Sequence, residues 1–304
     1  MRISTNTIYQ SGISKITNLQ SEQTKLMQQI STGQRIASPS DDPVGAARAL
    51  EIAHAKSVNS NFANTRQTAQ LKLNTLESNL TSITNTMTSI QSSLVAAGNA
   101  TYSDLERGFI AADLKTALDG LIGLANTKDA AGNYLYAGFQ TNTAPFVANA
   151  TGAAYVGDSN NQLLQVDESR QMVVNATGDD VFKAGGNDVF ATIQNLVNLL
   201  NTPLTPANQA AFTAGVATGL SSMRQGLDNV LTVRASIGSR LNELDQLDIS
   251  GSDLDLQYSK SLSEIQDLDY ASALSDLSKN QTIMEAAQKS FVATTSLSLF
   301  NFIQ

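Results

Sequence analysis

The sequence predicts a mainly α-helical protein: a long coiled-coil-like helical rod built from both termini, with a small β-rich domain inserted in the middle. Three observations carry this prediction. Two apolar seams alternate steps of three and four residues, one in each half of the chain; a glycine-rich stretch between them loses helical spacing; and narrower helical stripes mark both ends.

The first seam is Leu73, Leu76, Leu80, Ile83, Met87, Ile90 and Leu94, an a/d heptad pattern without an error. Traced backwards, its register meets Ala69, Arg66, Phe62, Asn59, Ala55 and Ile52 and reaches a start signal at Asp42-Pro43. Asp42 can accept the unpaired N–H groups of a first turn, and proline suits the first helical position because its missing donor has no partner there. Gly98-Asn99 supplies the stop. A helix over residues 43 to 97 would span roughly 80 Å at about 1.5 Å per residue.

The second seam, Leu220, Met223, Leu227, Val230, Arg234, Ile237, Leu241 and Leu244, follows a start signal at Thr205-Pro206. Gly215, Gly219, Gly226 and Gly238 each cost a helix about 1 kcal/mol relative to alanine, so they read as sites of close backbone approach. Between the seams, Ser103 and Glu106 form a capping box that opens a shorter helix over about 104 to 127. From Gly132 to about Asp188 the runs Tyr134 to Phe139, Gln162 to Val166 and Gln171 to Asn175 read as strands between turns. Phe190 to Leu200 reads as a short helix that ends before Pro203.

The terminal stripes are Ile16, Leu19, Gln23, Leu26 and Ile30 before Gly33, and Leu274, Leu277, Gln281, Met284, Gln288 and Phe291 near the other end. Each is narrow. Full burial of one large aliphatic side chain contributes about 1.5 to 3 kcal/mol, against about 1 to 2 kcal/mol of backbone entropy per ordered residue. These segments therefore have to order against each other or against neighbouring molecules. Their apolar members, Ile16, Leu19, Leu26, Ile30, Leu274, Leu277, Met284 and Phe291, are the predicted subunit-interface residues. Leu73, Leu76, Leu80, Ile83, Met87, Ile90, Leu94, Leu227, Val230, Ile237, Leu241 and Leu244 are the predicted core of the rod.

Composition removes many functions. The chain of 304 residues has no cysteine and a single histidine, His54, which excludes thiol chemistry, cysteine zinc sites and two-histidine metal motifs. With 19 Lys+Arg against 27 Asp+Glu the net charge is -8, the wrong sign for binding nucleic acid through its phosphates. No stretch approaches 18 uninterrupted apolar residues, and the first residues lack the apolar core of a cleavable signal peptide, so neither a membrane span nor that export route is expected. Asp179-Asp180 and Asp253-Asp255 lack the D-x-[DN]-x-[DN]-G calcium pattern and read as solvated turns and helix starts. His54 lies beside the apolar stripe and reads as a helix-surface residue. Arg66 and Arg234 interrupt the seams, either as long stems with heads in water or as partners of acidic groups on an adjacent subunit. No catalytic residue, cofactor or metal is expected.

The string Gln29-Ile30-Ser31-Thr32-Gly33-Gln34-Arg35-Ile36-Ala37-Ser38-Pro39-Ser40-Asp41-Asp42-Pro43 resembles the N-terminal signature of the flagellin family. Within that family, Met1-Arg2-Ile3-Ser4-Thr5, Tyr134-Leu135-Tyr136-Ala137-Gly138-Phe139 followed by Ala144-Pro145-Phe146, Leu231 to Gly238 and the ending Leu297-Ser298-Leu299-Phe300 resemble the members found at the hook–filament junction. The Pro39-to-Pro43 segment is then either a contact loop between subunits or simply a linker and helix start. The resemblance implies a helical D0 domain from residues 1–42 and 251–304, a D1 rod from 43–131 and 189–250, and a β-rich D2 insert at 132–188. It implies a non-enzymatic adaptor between the first hook-associated protein and flagellin, self-associating in a ring or helical layer. It further implies export through the flagellar type III channel with a cytoplasmic chaperone, and an extracellular flagellar location. Rival readings are flagellin itself, a surface adhesin or antigen, and a two-carboxylate hydrolase in the insert, for which residues 132 to 188 single out no pair.

Overall fold

The computed structural model describes residues 5–98 and 102–300. Seven helices are described: α1 (Thr5–Thr32), α2 (Pro43–Ala97), α3 (Asp104–Ala125), α4 (Gly178–Phe182), α5 (Val189–Leu200), α6 (Gln209–Gln266) and α7 (Tyr270–Phe300). Four strands lie between α3 and α4: β1 (Phe146–Asn149), β2 (Gly152–Tyr155), β3 (Leu163–Asp167) and β4 (Arg170–Val173). The chain forms two compact units, one of residues Met1–Asn59 with Ser252–Gln304 and one of Ser60–Gly251.

Local chemistry places the helix starts. Asp42 accepts the Gly45 N–H at 2.9 Å with Pro43 as the first helical residue of α2. Ser103 and Glu106 complete their box, Ser103 N–H donating to Glu106 at 2.7 Å and Glu106 N–H to the Ser103 hydroxyl at 3.3 Å. α6 starts later than its Thr205-Pro206 signal. The Thr205 carbonyl first accepts the N–H groups of Asn208 and Gln209, and the Asn208 side chain accepts from Thr205, so a capping turn intervenes.

In the unit of residues 60–251, the first seam is sealed: Leu73, Leu76, Leu80, Ile83, Met87, Ile90 and Leu94 are all at most 2% exposed. α6 answers with Val216, Met223, Val230, Ile237 and Leu244, one buried side chain every seven residues. Its second row differs from the predicted one. Leu220, Leu227 and Leu241 flank the core half-buried, and the buried positions between heptads are Gly219 and Gly226. The reason is α5, which closes on the glycines: a Cβ on Gly215, Gly219 or Gly226 would meet Leu199, Leu196 or Val189 at 2.7, 2.4 and 2.7 Å. Gly238 has open space around it, so close approach does not explain it. Leu114, Leu118 and Leu121 of α3 join the same core.

Both seam arginines find acidic partners within the chain. Arg66, with a side chain 3% exposed, donates to Asp248 and to the Val166 carbonyl at 3.2 Å. Arg234 donates to Glu77 at 2.6 Å and to Thr84 at 3.3 Å, tying α6 to α2.

The strands form two separate antiparallel hairpins, β1–β2 with Phe146 opposite Tyr155 and β3–β4 with Leu163 opposite Val173. Tyr134 to Phe139 is not a strand; beyond a single bridge from Lys128 to Tyr134 it runs through turns. A half-buried strand hides alternate residues, whereas here the consecutive Tyr136 and Ala137 are both fully buried. The Tyr136 hydroxyl donates to Asn79 at 2.7 Å, and Asn79 donates to Thr127 at 2.9 Å. Burial, aided by the Glu77 charge, pushes the Tyr136 phenol far above its ordinary range. Phe146 gathers Phe190, Phe182 and Tyr155 with ring centroids 4.8 to 5.2 Å apart. Side-chain amides staple the insert to the helices: Asn126 brackets the Phe146 N–H and carbonyl at 2.9 and 2.8 Å, and Asn229 donates to the Asp180 and Val181 carbonyls at 2.6 and 2.8 Å.

Tyr136→Phe removes the hydroxyl that donates to Asn79 and leaves the Asn79 side-chain oxygen buried without that donor. Urea denaturation should register a loss of about 1 to 3 kcal/mol.

Candidate assembly surface

The unit formed by the two chain ends follows from its narrow stripes. In α1, Ile16, Leu19, Gln23, Leu26 and Ile30 are half-buried. α7 answers with Ala273, Leu277, Asn280, Met284, Ala287 and Phe291. Its seam therefore passes through Ala273, Asn280 and Ala287 where the sequence suggested Leu274, Gln281 and Gln288. Small residues let the two backbones close, and Leu274 is left 53% exposed. The contact is tightest where Tyr9 and Phe291 bring their ring centroids to 5.2 Å and a Cβ on Gly12 would lie 2.5 Å from the Phe291 ring. Further along, Asn280 donates to Glu22 at 3.3 Å.

This unit has almost no interior. Among its described residues the buried apolar ones are Ile36, Ala49 and Ala273, while the buried core cluster of the protein runs from Ala69 to Leu244, all in the other unit. Large apolar side chains remain exposed on both helices: Ile8 48%, Tyr9 47%, Ile13 44%, Met27 47%, Ile283 44% and Val292 64%. Ile8, Tyr9, Gly12, Ile16 and Phe291 also line an open cavity of about 930 Å³. Concentrated apolar exposure of this kind marks a surface that another molecule covers.

The segment from Gln29 to Asp42 is a clasp between the two ends. Gly33 closes α1 at φ +72°, a left-handed conformation that glycine adopts without strain, and a Cβ there would meet the Tyr270 hydroxyl at 2.8 Å. Gln34 bridges to Asp267; the Arg35 N–H donates to the Gln266 carbonyl at 2.7 Å and the Leu268 N–H to the Gly33 carbonyl at 3.0 Å. The Arg35 guanidinium donates to the Ile265 carbonyl at 2.9 Å and to Asp42 at 3.2 Å. Gln29, 9% exposed, anchors the Arg35 carbonyl at 2.5 Å. Asp41 pairs with Lys25 at 2.9 Å and accepts the Ser38 N–H at 2.9 Å. The acidic members of this segment thus bond internally, while Pro39 and Ser40 at its tip are exposed.

These bonds set the charge states. Lys25 chiefly holds the Asp41 carboxyl below its ordinary 3.8, and the Gly45 N–H does the same for Asp42. Carboxylates of depressed pKa support the fold in their charged form, so the support is complete above 3.8 and fades as the pH falls below it. His54 is exposed on α2, and among the described residues no group of three or more His, Cys, Asp or Glu could hold a metal ion. No described helix is long and apolar enough to cross a membrane.

Residues 3–141 match the family model of the bacterial flagellin N-terminal helical region. Over 99% of both chains, the sequence is 36% identical to flagellar hook-associated protein 3 of Escherichia coli (strain K12) and 37% identical to that of Salmonella typhimurium (strain LT2). The chain belongs to the flagellar hook-associated protein 3 family. Among solved structures, a flagellar hook-associated protein from Vibrio parahaemolyticus superposes with a TM-score of 0.69 at 25% identity, covering 75% of this chain and all of its own. The flagellar junction protein of Legionella pneumophila shares the fold, with a TM-score of 0.63 at 20% identity over 72% of this chain and all of its own. For this hook-associated protein 3 family member, the flagellin-like signature acquires a physical meaning: Gly33, Arg35 and Asp42 are the residues that close the clasp.

Gly33→Ala forces a side chain into the left-handed region, at about 1 to 2 kcal/mol, and against the Tyr270 hydroxyl. Hydrogen exchange should accelerate across the ends of α1 and α6 while the amides of residues 73–94 keep their protection.

Proposed function

We propose that this protein is a non-enzymatic structural component of the bacterial flagellum, an adaptor at the junction of hook and filament. One face meets the first hook-associated protein and another meets flagellin, and copies associate side by side in a ring or helical layer. The observation that carries this reading is the coreless unit of α1 and α7, whose apolar faces gain shelter only from neighbouring molecules. Family membership supplies the setting, the extracellular flagellum. The ends, residues 1–42 and 251–304, act as the D0 assembly domain; 43–131 and 189–250 act as D1, and 132–188 as the outward D2. Ile16, Leu19, Leu26, Ile30, Leu277, Met284 and Phe291 then serve the lattice as well as the helix pair, and the exposed Leu274 serves the lattice alone. Ordering of the ends is coupled to assembly, with burial offsetting the entropy cost. Delivery proceeds through the flagellar type III channel, with a chaperone on the C-terminal part.

Deletion of the gene should leave complete hooks and shed flagellin monomers into the medium. Normal filaments in the deletion strain would refute the assignment, and a strain that has hooks but makes no flagellin protein of any other kind would point to the filament subunit instead. A triple variant Ile8→Ser, Ile13→Ser, Val292→Ser should keep the urea midpoint of the 60–251 unit. Added to hooks bearing the first hook-associated protein, it should fail to support flagellin growth that the parent protein supports.

A further inference from the structure

The break between α6 and α7 is not written as a helix breaker in the sequence: no glycine or proline follows Gly251. α6 ends at Gln266 and α7 begins at Tyr270 all the same. An uninterrupted helix through this stretch needs five bonds between residues four apart, from the N–H groups of Leu268, Asp269, Tyr270, Ala271 and Ser272 to the carbonyls of Glu264, Ile265, Gln266, Asp267 and Leu268. The clasp takes partners from the first three, and the Asp269 carboxylate takes the donors of the last two. The Leu268 N–H is diverted to the Gly33 carbonyl at 3.0 Å, the Ile265 carbonyl accepts from the Arg35 guanidinium at 2.9 Å, and the Gln266 carbonyl accepts the Arg35 N–H at 2.7 Å. On either side the ordinary ladder holds, with Asp267 N–H on Ser263 and Ala273 N–H on Asp269, both at 2.9 Å. A segment some 230 residues away in sequence thus caps the C-terminal end of α6, and Leu268, just past α6, in return donates to the Gly33 carbonyl at the end of α1.

The geometry points to a conformational switch: the docked N-terminal clasp imposes the break, and its release lets α6 and α7 run on as one helix through residues 267–269. Two states compete for the same groups. In the docked state Arg35 and Gly33 hold them, and Asp269 turns its carboxylate to the Ala271 and Ser272 N–H groups at 3.0 and 3.3 Å as the new N-cap of α7. In the released state the backbone of 264–272 satisfies itself, and the Asp269 cap is given up. The device couples the chain ends: α7 exists as a separate helix able to pair with α1 only when the N-terminal segment is seated. Arg35 is a positioning residue in this scheme, acting through the α6 carbonyls.

The test reads backbone conformation in the full-length protein by 13Cα chemical shifts of Asp267, Leu268 and Asp269. The parent protein should show non-helical shifts there, flanked by helical ones. Arg35→Ala should move all three to helical values; Gln29→Ala, which only frees the Arg35 carbonyl, should move them part of the way. Adding Ala271→Pro to Arg35→Ala should return Leu268 and Asp269 to non-helical values, because proline tolerates a first turn and clashes with the carbonyl four residues before it in a helix interior. Helical shifts at 267–269 in the parent would overturn the switch. So would non-helical shifts that persist in Arg35→Ala, whether α7 stays helical or melts.

Discussion

Among the described residues, a stripe of apolar side chains leaves water almost completely only where its partner helix is joined by a third element. The two units differ in whether they have one. In residues 60–251, α3, α5 and the hairpins close over the α2 and α6 seams, and Leu73 to Leu94 leave water almost completely. In the unit of the chain ends, α1 and α7 have only each other, and their largest side chains stay half exposed. The distribution of core, more than any single residue, separates the part of the chain that is self-sufficient from the part whose apolar faces stay open.

Polar groups fix position where the seams alone leave freedom. Arg66 with Asp248 and Arg234 with Glu77 pin the register of two helices whose heptads would tolerate a slip. Tyr136 with Asn79 does the same for the start of the insert. In the clasp the orphan carbonyls of one helix end are satisfied by the other end of the chain, so that a requirement of every helix terminus becomes a long-range contact.

Much of this was legible in the sequence because spacing and caps are local. The α2 bounds follow from Asp42-Pro43 and Gly98, the α3 start from Ser103 and Glu106, and the a/d seam from simple periodicity. What escaped was tertiary. Gly219 and Gly226 replace leucines as buried positions because α5 packs on them, and Ala273 and Ala287 replace Leu274 and Gln288 in the α7 row that faces α1; hydrophobicity favours the leucines, and the three-four spacing alone carried the row to Gln288. Tyr134 to Phe139 has strand composition, yet its consecutive buried residues answer to a pocket beside α2, which no alternation pattern reports. The clasp was visible as a signature but not as a mechanism, since its partners lie 230 residues downstream. The assembly stripes were visible in kind, and only the neighbouring α7 fixed which rows face inward.

The amide staples at Asn126 and Asn229 carry a further consequence. They fasten the insert where it leaves the helices and where it returns, with main-chain partners that any sequence would offer. Between the two fastenings Val166, Met172 and Val174 belong to the core, so residues can be gained or lost at the modest entropic cost of a longer loop at the exposed hairpin turns, Ala150-Thr151 and Glu168-Ser169, without shifting a heptad. The helices of the 60–251 unit thereby keep a single geometry whatever those turns carry.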